Sequence, residues 1–216
     1  MSHIITRLFD DFADAQHAVI ELERVGVPHG DISIVSHQSH HKHVGADVRE
    51  PRDHTAGEAS GRDAGVGAAL GGVIGAAGGA LAGLGLLAIP GLGPVVAAGW
   101  LASAAVGAVA GGAVIGAAGG LVGALTHAGV SKEEADVYAE GVRRGGTLVS
   151  AKVHDDHLAE AEAALHTIPT VDMDARGALY RESGWSGFDE TAPAYTDEEA
   201  LAERSRYREA PADRLN

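Results

Sequence analysis

Two stretches of the chain alternate apolar and polar residues at the period of a strand, and each runs into a stretch with the period of a helix. HIITRLF alternates and carries β-branched residues, which predicts a strand over residues 3–8. In DDFADAQHAVIELERVG the residues Phe12, Ala15, Val19, Leu22 and Val25 fall on one helical face, and Gly26 is placed to stop the helix. VPHGDISIVSH then supplies a turn and a second strand over 31–36. The pattern returns later in the chain. TLVSAKV predicts a strand over 147–153, HDDHLAEAEAALHTI a helix with Leu158, Ala161, Leu165 and Ile168 aligned, and PTVDMDA a short closing strand. Two βαβ units in one chain predict an α+β fold, a ferredoxin-like sandwich of four antiparallel strands with two helices on one face.

Between the second and third strands, where a hairpin turn is expected, about a hundred residues intervene, far more than an ordinary loop. Most of that length is uncharged: between Asp63 and Lys132 no Asp, Glu, Lys or Arg occurs, and His127 is the one titratable side chain. Pro90, Gly91, Gly93 and Pro94 break the run, so the spacing predicts a helical hairpin with arms over 65–89 and 95–127. Gly67, Gly71, Gly75, Gly79 and Gly83 recur at every fourth position of the first arm. Gly107 and Gly111, then Gly112, Gly116 and Gly120, continue the spacing on the second. Small residues at that spacing form a groove where a second helix approaches closely, as in lipid-embedded helix pairs. The organisation expected is therefore a first βαβ half over 1–36, a His-rich linker over 37–63 and a glycine-zipper hairpin over 64–130. A helix with the second βαβ half follows over 131–174, and a polar tail over 175–216.

Capping patterns mark two further helices. Ser131 and Glu134 precede a helix whose Ala135, Tyr138 and Val142 face packs inward and which Gly145 ends; Thr196 and Glu199 precede one over 197–208. Asp10 and Asp11, and Asp155 and Asp156 after His154, sit at strand-to-helix junctions, where carboxylates serve as helix caps. Tyr180, Trp185, Phe188 and Tyr195 are the anchors by which the tail could hold to a surface.

Charge and composition narrow the functional classes. A net charge of −14 with no basic stripe argues against a nucleic-acid partner. No cysteine is present, which removes disulfide and thiolate chemistry. MSHIITRLFDDF lacks the basic and apolar regions of a secretory signal, so the polar parts are expected to face the cytoplasm. GVGAAL has neither the third glycine nor the lysine of a phosphate loop, and no small-molecule substrate is indicated. His37, His40, His41 and His43 lie within seven residues, so a weakly held transition metal is the one cofactor the sequence suggests. The same segment reads foremost as a polar linker that happens to be rich in histidine, and, since imidazole titrates near neutral pH, also as a charge switch at the base of the hairpin.

ITRLFDDFADAQHAVIELERVGVPHGDISIV, LGGVIGAAGGALAG and GGTLVSAKV with HDDHLAEAEAAL together resemble bacterial general stress and low-temperature-induced proteins, over about residues 3–173. The resemblance implies a stress-associated, non-enzymatic protein linked to the inner membrane, and it carries no catalytic residues. The expected partners are the membrane and further copies of the chain. Two alternatives stand beside that expectation: a soluble homo-oligomer built by zipper helices, and a metal-binding module using the histidines.

Overall fold

The computed structural model describes residues 2–37, 85–89, 92–102, 120–193 and 195–209. In chain order the elements are β1 (Ser2–Phe9), α1 (Phe12–Arg24), β2 (Ile32–His37), β3 (Gly85–Ile89), β4 (Gly93–Ala98), α2 (Gly120–His127) and α3 (Lys132–Arg143). There follow β5 (Thr147–His154), α4 (Asp155–His166), α5 (Met173–Glu182) and α6 (Asp197–Glu209). The fold is α+β, and the five strands among the described residues form one antiparallel sheet in the order β1-β5-β2-β4-β3.

The alternation of side chains along each strand divides the core in two. Ile5, Ile32, Ile34, Val149 and Ala151 turn to one face, where α1 and α4 cover them with Phe12, Val19, Leu22, Ala161 and Leu165. Leu8, Val35, Val95, Ala97 and Leu148 turn to the other, where α2 and α3 bring Leu121, Leu125, Ala135, Tyr138 and Val142. Every residue expected on the inner faces of α1, α3 and α4 packs into one of these clusters. Gly26 and Gly145 end α1 and α3 at φ of 97° and 94°, with the N–H of Val27 donating back to Leu22 and that of Gly146 to Gly141.

A sheet covered on both faces departs from the expected sandwich with helices on one. Gly141 permits this second layer: a Cβ there would collide with the Leu8 side chain, so α3 sits close over β1 because position 141 has none.

The closing strand expected in 169–175 does not form. Its one ladder-like bond runs from the Val171 N–H to the Leu8 carbonyl at 2.9 Å. Asp172 then caps α5, accepting from the Ala175 N–H at 2.9 Å. A carboxylate that can satisfy a free helix N–H outcompetes a two-residue extension of strand pairing.

The helical arms are also corrected where they are described. Residues 85–89 and 93–98 are paired strands, with Leu92 in a turn between them donating its N–H to the Ile89 carbonyl at 3.0 Å. Short apolar runs fit strand or helix equally by periodicity, and here the edge of β2 was open to pairing, from Ile34 opposite Ala98 to His37 opposite Val95. Pro94 lies beyond that paired length, opposite Ala88, so its missing N–H costs no bond to β2. In the second arm the described helical residues are 100–102, just after β4, and α2 from Gly120.

Candidate functional site

The glycine-rich run was the leading candidate, and the described residues fix its points of attachment. Chain direction along β2 brings His37 level with Val95, at the end of the sheet nearest the turn at Leu92. Gly85 starts β3 opposite Ala97, coming from the opposite end of the sheet. After β4 the chain turns at Gly99, where φ is 84° and a Cβ would overlap the Ile32 carbonyl oxygen. The Leu101 N–H is then held by Ser33 Oγ at 3.0 Å, and Lys152 Nζ lies 4.4 Å from the centre of the Trp100 ring. The chain returns at Gly120, whose Cβ position is 3.2 Å from Ile89 Cγ2, back at the turn end. The described residues on either side of 38–84, and those on either side of 103–119, thus lie at opposite ends of one sheet.

Of the expected packing glycines, Gly120 is described, and it differs from the expectation. It starts α2 at φ of 67° and meets a strand residue, not a second helix. Gly67, Gly71, Gly75, Gly79, Gly83, Gly107, Gly111, Gly112 and Gly116 lie outside the described residues, as do His40, His41 and His43. His37 is not in a polar linker: it ends β2, is 2% exposed and pairs with Val95 inside the sheet. Among the described residues no group of three or more His, Asp or Glu is placed to hold a metal, and no helix is long and apolar enough to cross a membrane.

A second site was not visible in the sequence. Where α3, α5 and α6 meet, Glu140, Arg144, Arg176, Tyr180 and Glu203 are all buried. Arg144 donates from Nε to Glu140 Oε1 at 2.6 Å and from Nη1 to Glu203 at 2.5 Å, while Arg143 forks onto both Glu140 oxygens, Nη2 to Oε1 at 2.7 Å and Nε to Oε2 at 2.9 Å. Tyr207 donates to Glu203 at 2.5 Å. Arg176 forms a two-bond fork with Asp10, 2.9 and 2.8 Å, tying α5 to the end of β1. Of the aromatic anchors expected in the tail, Tyr180 and Trp185 meet edge-on at 5.7 Å in this corner, Tyr195 lies 5.1 Å from the Arg143 guanidinium and Phe188 packs against the core under α2 and α3; the Arg144 guanidinium lies 4.3 Å from the Tyr180 ring centre, and that of Arg176 3.7 Å from Tyr207, a residue the sequence pattern does not single out.

The electrostatics are those of a clamp. Burial opposes the charge on Arg144, but hydrogen bonds and attraction from Glu140 and Glu203 outweigh it and raise its pKa. Burial likewise pushes Glu203 up, and the bonds from Tyr207 and Arg144 more than reverse this, holding its carboxyl below the ordinary glutamate value. Tyr180 is pushed up to about 12, chiefly by burial. Such groups stay in one protonation state near neutral pH, which suits structural attachment and not proton transfer.

The junction carboxylates also take other roles. Asp11 and His154 occupy the cap positions of α1 and α4 with no side-chain capping bond, Asp10 serves Arg176, and Asp155 lies 2.8 Å from His3 Nε2. Both capping boxes do form, with the N–H groups of Glu134 and Glu199 donating to Ser131 and Thr196 at 3.3 Å. Comparison with known proteins found no matching family model, no matching curated protein and no matching solved structure.

Proposed function

We propose that the chain is a non-enzymatic, stress-associated protein that self-associates through its Ala/Gly-rich stretches, the α+β body serving as their anchor. The observation that carries this reading is the attachment of each stretch at both ends to the sheet, through His37, Gly85, Leu101 and Gly120. The β1-β5-β2 order, with α1 crossing between two parallel strands, supports a ferredoxin-like core; β3 and β4 extend it, and Val171 marks where its fourth strand would run.

Attachment at both ends favours association between copies over a bilayer-spanning hairpin. A crossing and return takes about 40 apolar residues, whereas β3 and β4 divide the uncharged run into 64–84 and 103–119. Membrane association, on the cytoplasmic side of the inner membrane, is the second reading, favoured by the absence of charge from 64 to 131.

Light scattering of the detergent-free protein, paired with carbonate extraction of cell membranes, separates the two. The expected result is particles several times the 21.9 kDa chain that carbonate releases from membranes. Replacing Gly75 and Gly79 by leucine reduces the particle size, because the added side chains separate packed helices. A detergent-free monomer overturns self-association; carbonate-resistant pelleting transfers the case to the membrane.

A further inference from the structure

Among the described residues, the outer edge of β1 is closed along only half its length. The Leu8 carbonyl accepts from Val171 N–H, and the Thr6 carbonyl accepts from Tyr138 Oη at 3.1 Å and from Arg7 Nη1 at 2.9 Å. These bonds establish which residues point outward. In an antiparallel ladder, alternate residues turn both N–H and C=O to the same side, so Ser2 and Ile4 share the outward direction of Thr6 and Leu8. Among the described residues no backbone group pairs with Ile4 on that side.

A cleft of about 390 Å³ runs beside this open length, bounded by Ile4, Thr6, Arg7, Val130, Glu134 and Tyr138. Its charges are unequally committed. Glu134 already accepts from Ser131 at 2.8 Å, and the neighbouring His3 faces Asp155 at 2.8 Å. Arg7, by contrast, donates to a carbonyl and makes no ion pair among the described residues.

We propose that this cleft takes an extended peptide segment bearing a carboxylate, added to β1 as a further strand at Ile4 with its carboxylate on Arg7. Backbone bonds to the edge give such a ligand its affinity, and the guanidinium gives it charge selectivity. From Ser2 to Thr6 the open edge is about 13 Å long at ~3.3 Å per residue, room for roughly four residues. Tyr138 and Arg7 together close the far end on the Thr6 carbonyl, which sets the register of the incoming strand.

The test uses the full chain and a fluorescein-labelled pentapeptide alternating threonine and valine around one central glutamate, read by anisotropy. Saturable binding is expected, weakened about tenfold by Arg7→Gln, equally by a lysine in place of the peptide's glutamate, and abolished when alternate peptide amides are N-methylated. The lysine and N-methyl peptides leave the protein unaltered, so they decide the matter even if the variant folds poorly. No saturation at millimolar peptide, or equal binding of the glutamate and lysine peptides or of the N-methylated peptide, overturns the proposal.

Discussion

The two helical covers of the body are held by different forces. On one side α1 and α4 lie on the sheet through Ala15, Ala18, Val19, Leu22, Ala161 and Leu165, an apolar surface with its charges turned outward. At the opposite corner α6, whose composition is strongly polar, is held by Arg144, Glu203 and Tyr207, with Ala200 set against Gly145. An apolar contact tolerates imperfect geometry, because burial energy is non-directional. A buried charge is stable only while its bonding is complete, so the clamp gives α6 one position rather than extra adhesion.

The sharpest way to break the contrast is Arg144→Ala. It leaves Glu140 and Glu203 buried with fewer partners, and a loss of about 3–5 kcal/mol in urea unfolding is expected, with α6 detached. Leu22→Ala on the apolar side is expected to cost about 3 kcal/mol, lowering the midpoint of the whole body without selectively releasing α6. Acid separates the regions more gently. Glu203 has a folded pKa below its ordinary 4.5, so its contribution is complete above that range and is lost as pH falls through the folded value. Trp185 fluorescence, recorded in a Trp100→Phe background, should report loosening of the corner below about pH 4.5 before the α1 and α4 side responds. In Glu203→Gln the Glu203-linked part of that transition disappears. Smallest is Asp172→Ala, which removes the α5 cap for about 1 kcal/mol and is checked by thermal unfolding.

Periodicity made one side of this comparison readable and left the other hidden. α1, α3 and α4 show their buried faces as repeats of apolar residues, and β1, β2 and β5 as alternation, so elements and core could be placed from the chain alone. The clamp has no such signature: Arg144 and Glu203 are 59 positions apart, and a buried arginine is spelled as an exposed one is. Hydroxyl pairs in the sheet share the difficulty, since Thr6 and Ser150, and Ser36 and Thr147, read as polar outer positions yet bond to each other at 3.0 Å in the interior. The aromatic residues of the tail announced an attachment but not its surface, and α5 was missed because Asp172 reads as a strand residue until its partner, the Ala175 N–H, is in view. β3 and β4 escaped because alanine, leucine and glycine without polar markers fix no period, while glycines four apart suggest one.

The placement of His37 and Gly85 has a mechanical consequence. β2 and β3 run parallel on either side of β4, and the chain leaves the first and joins the second at opposite ends of the sheet, with their paired lengths overlapping along β4. Tension applied through the residues after His37 and before Gly85 therefore pulls along the strand axes, in shear. The cross-strand bonds resist such a load together instead of unzipping in turn, so the sheet holds these two chain ends most firmly against a pull along the strands.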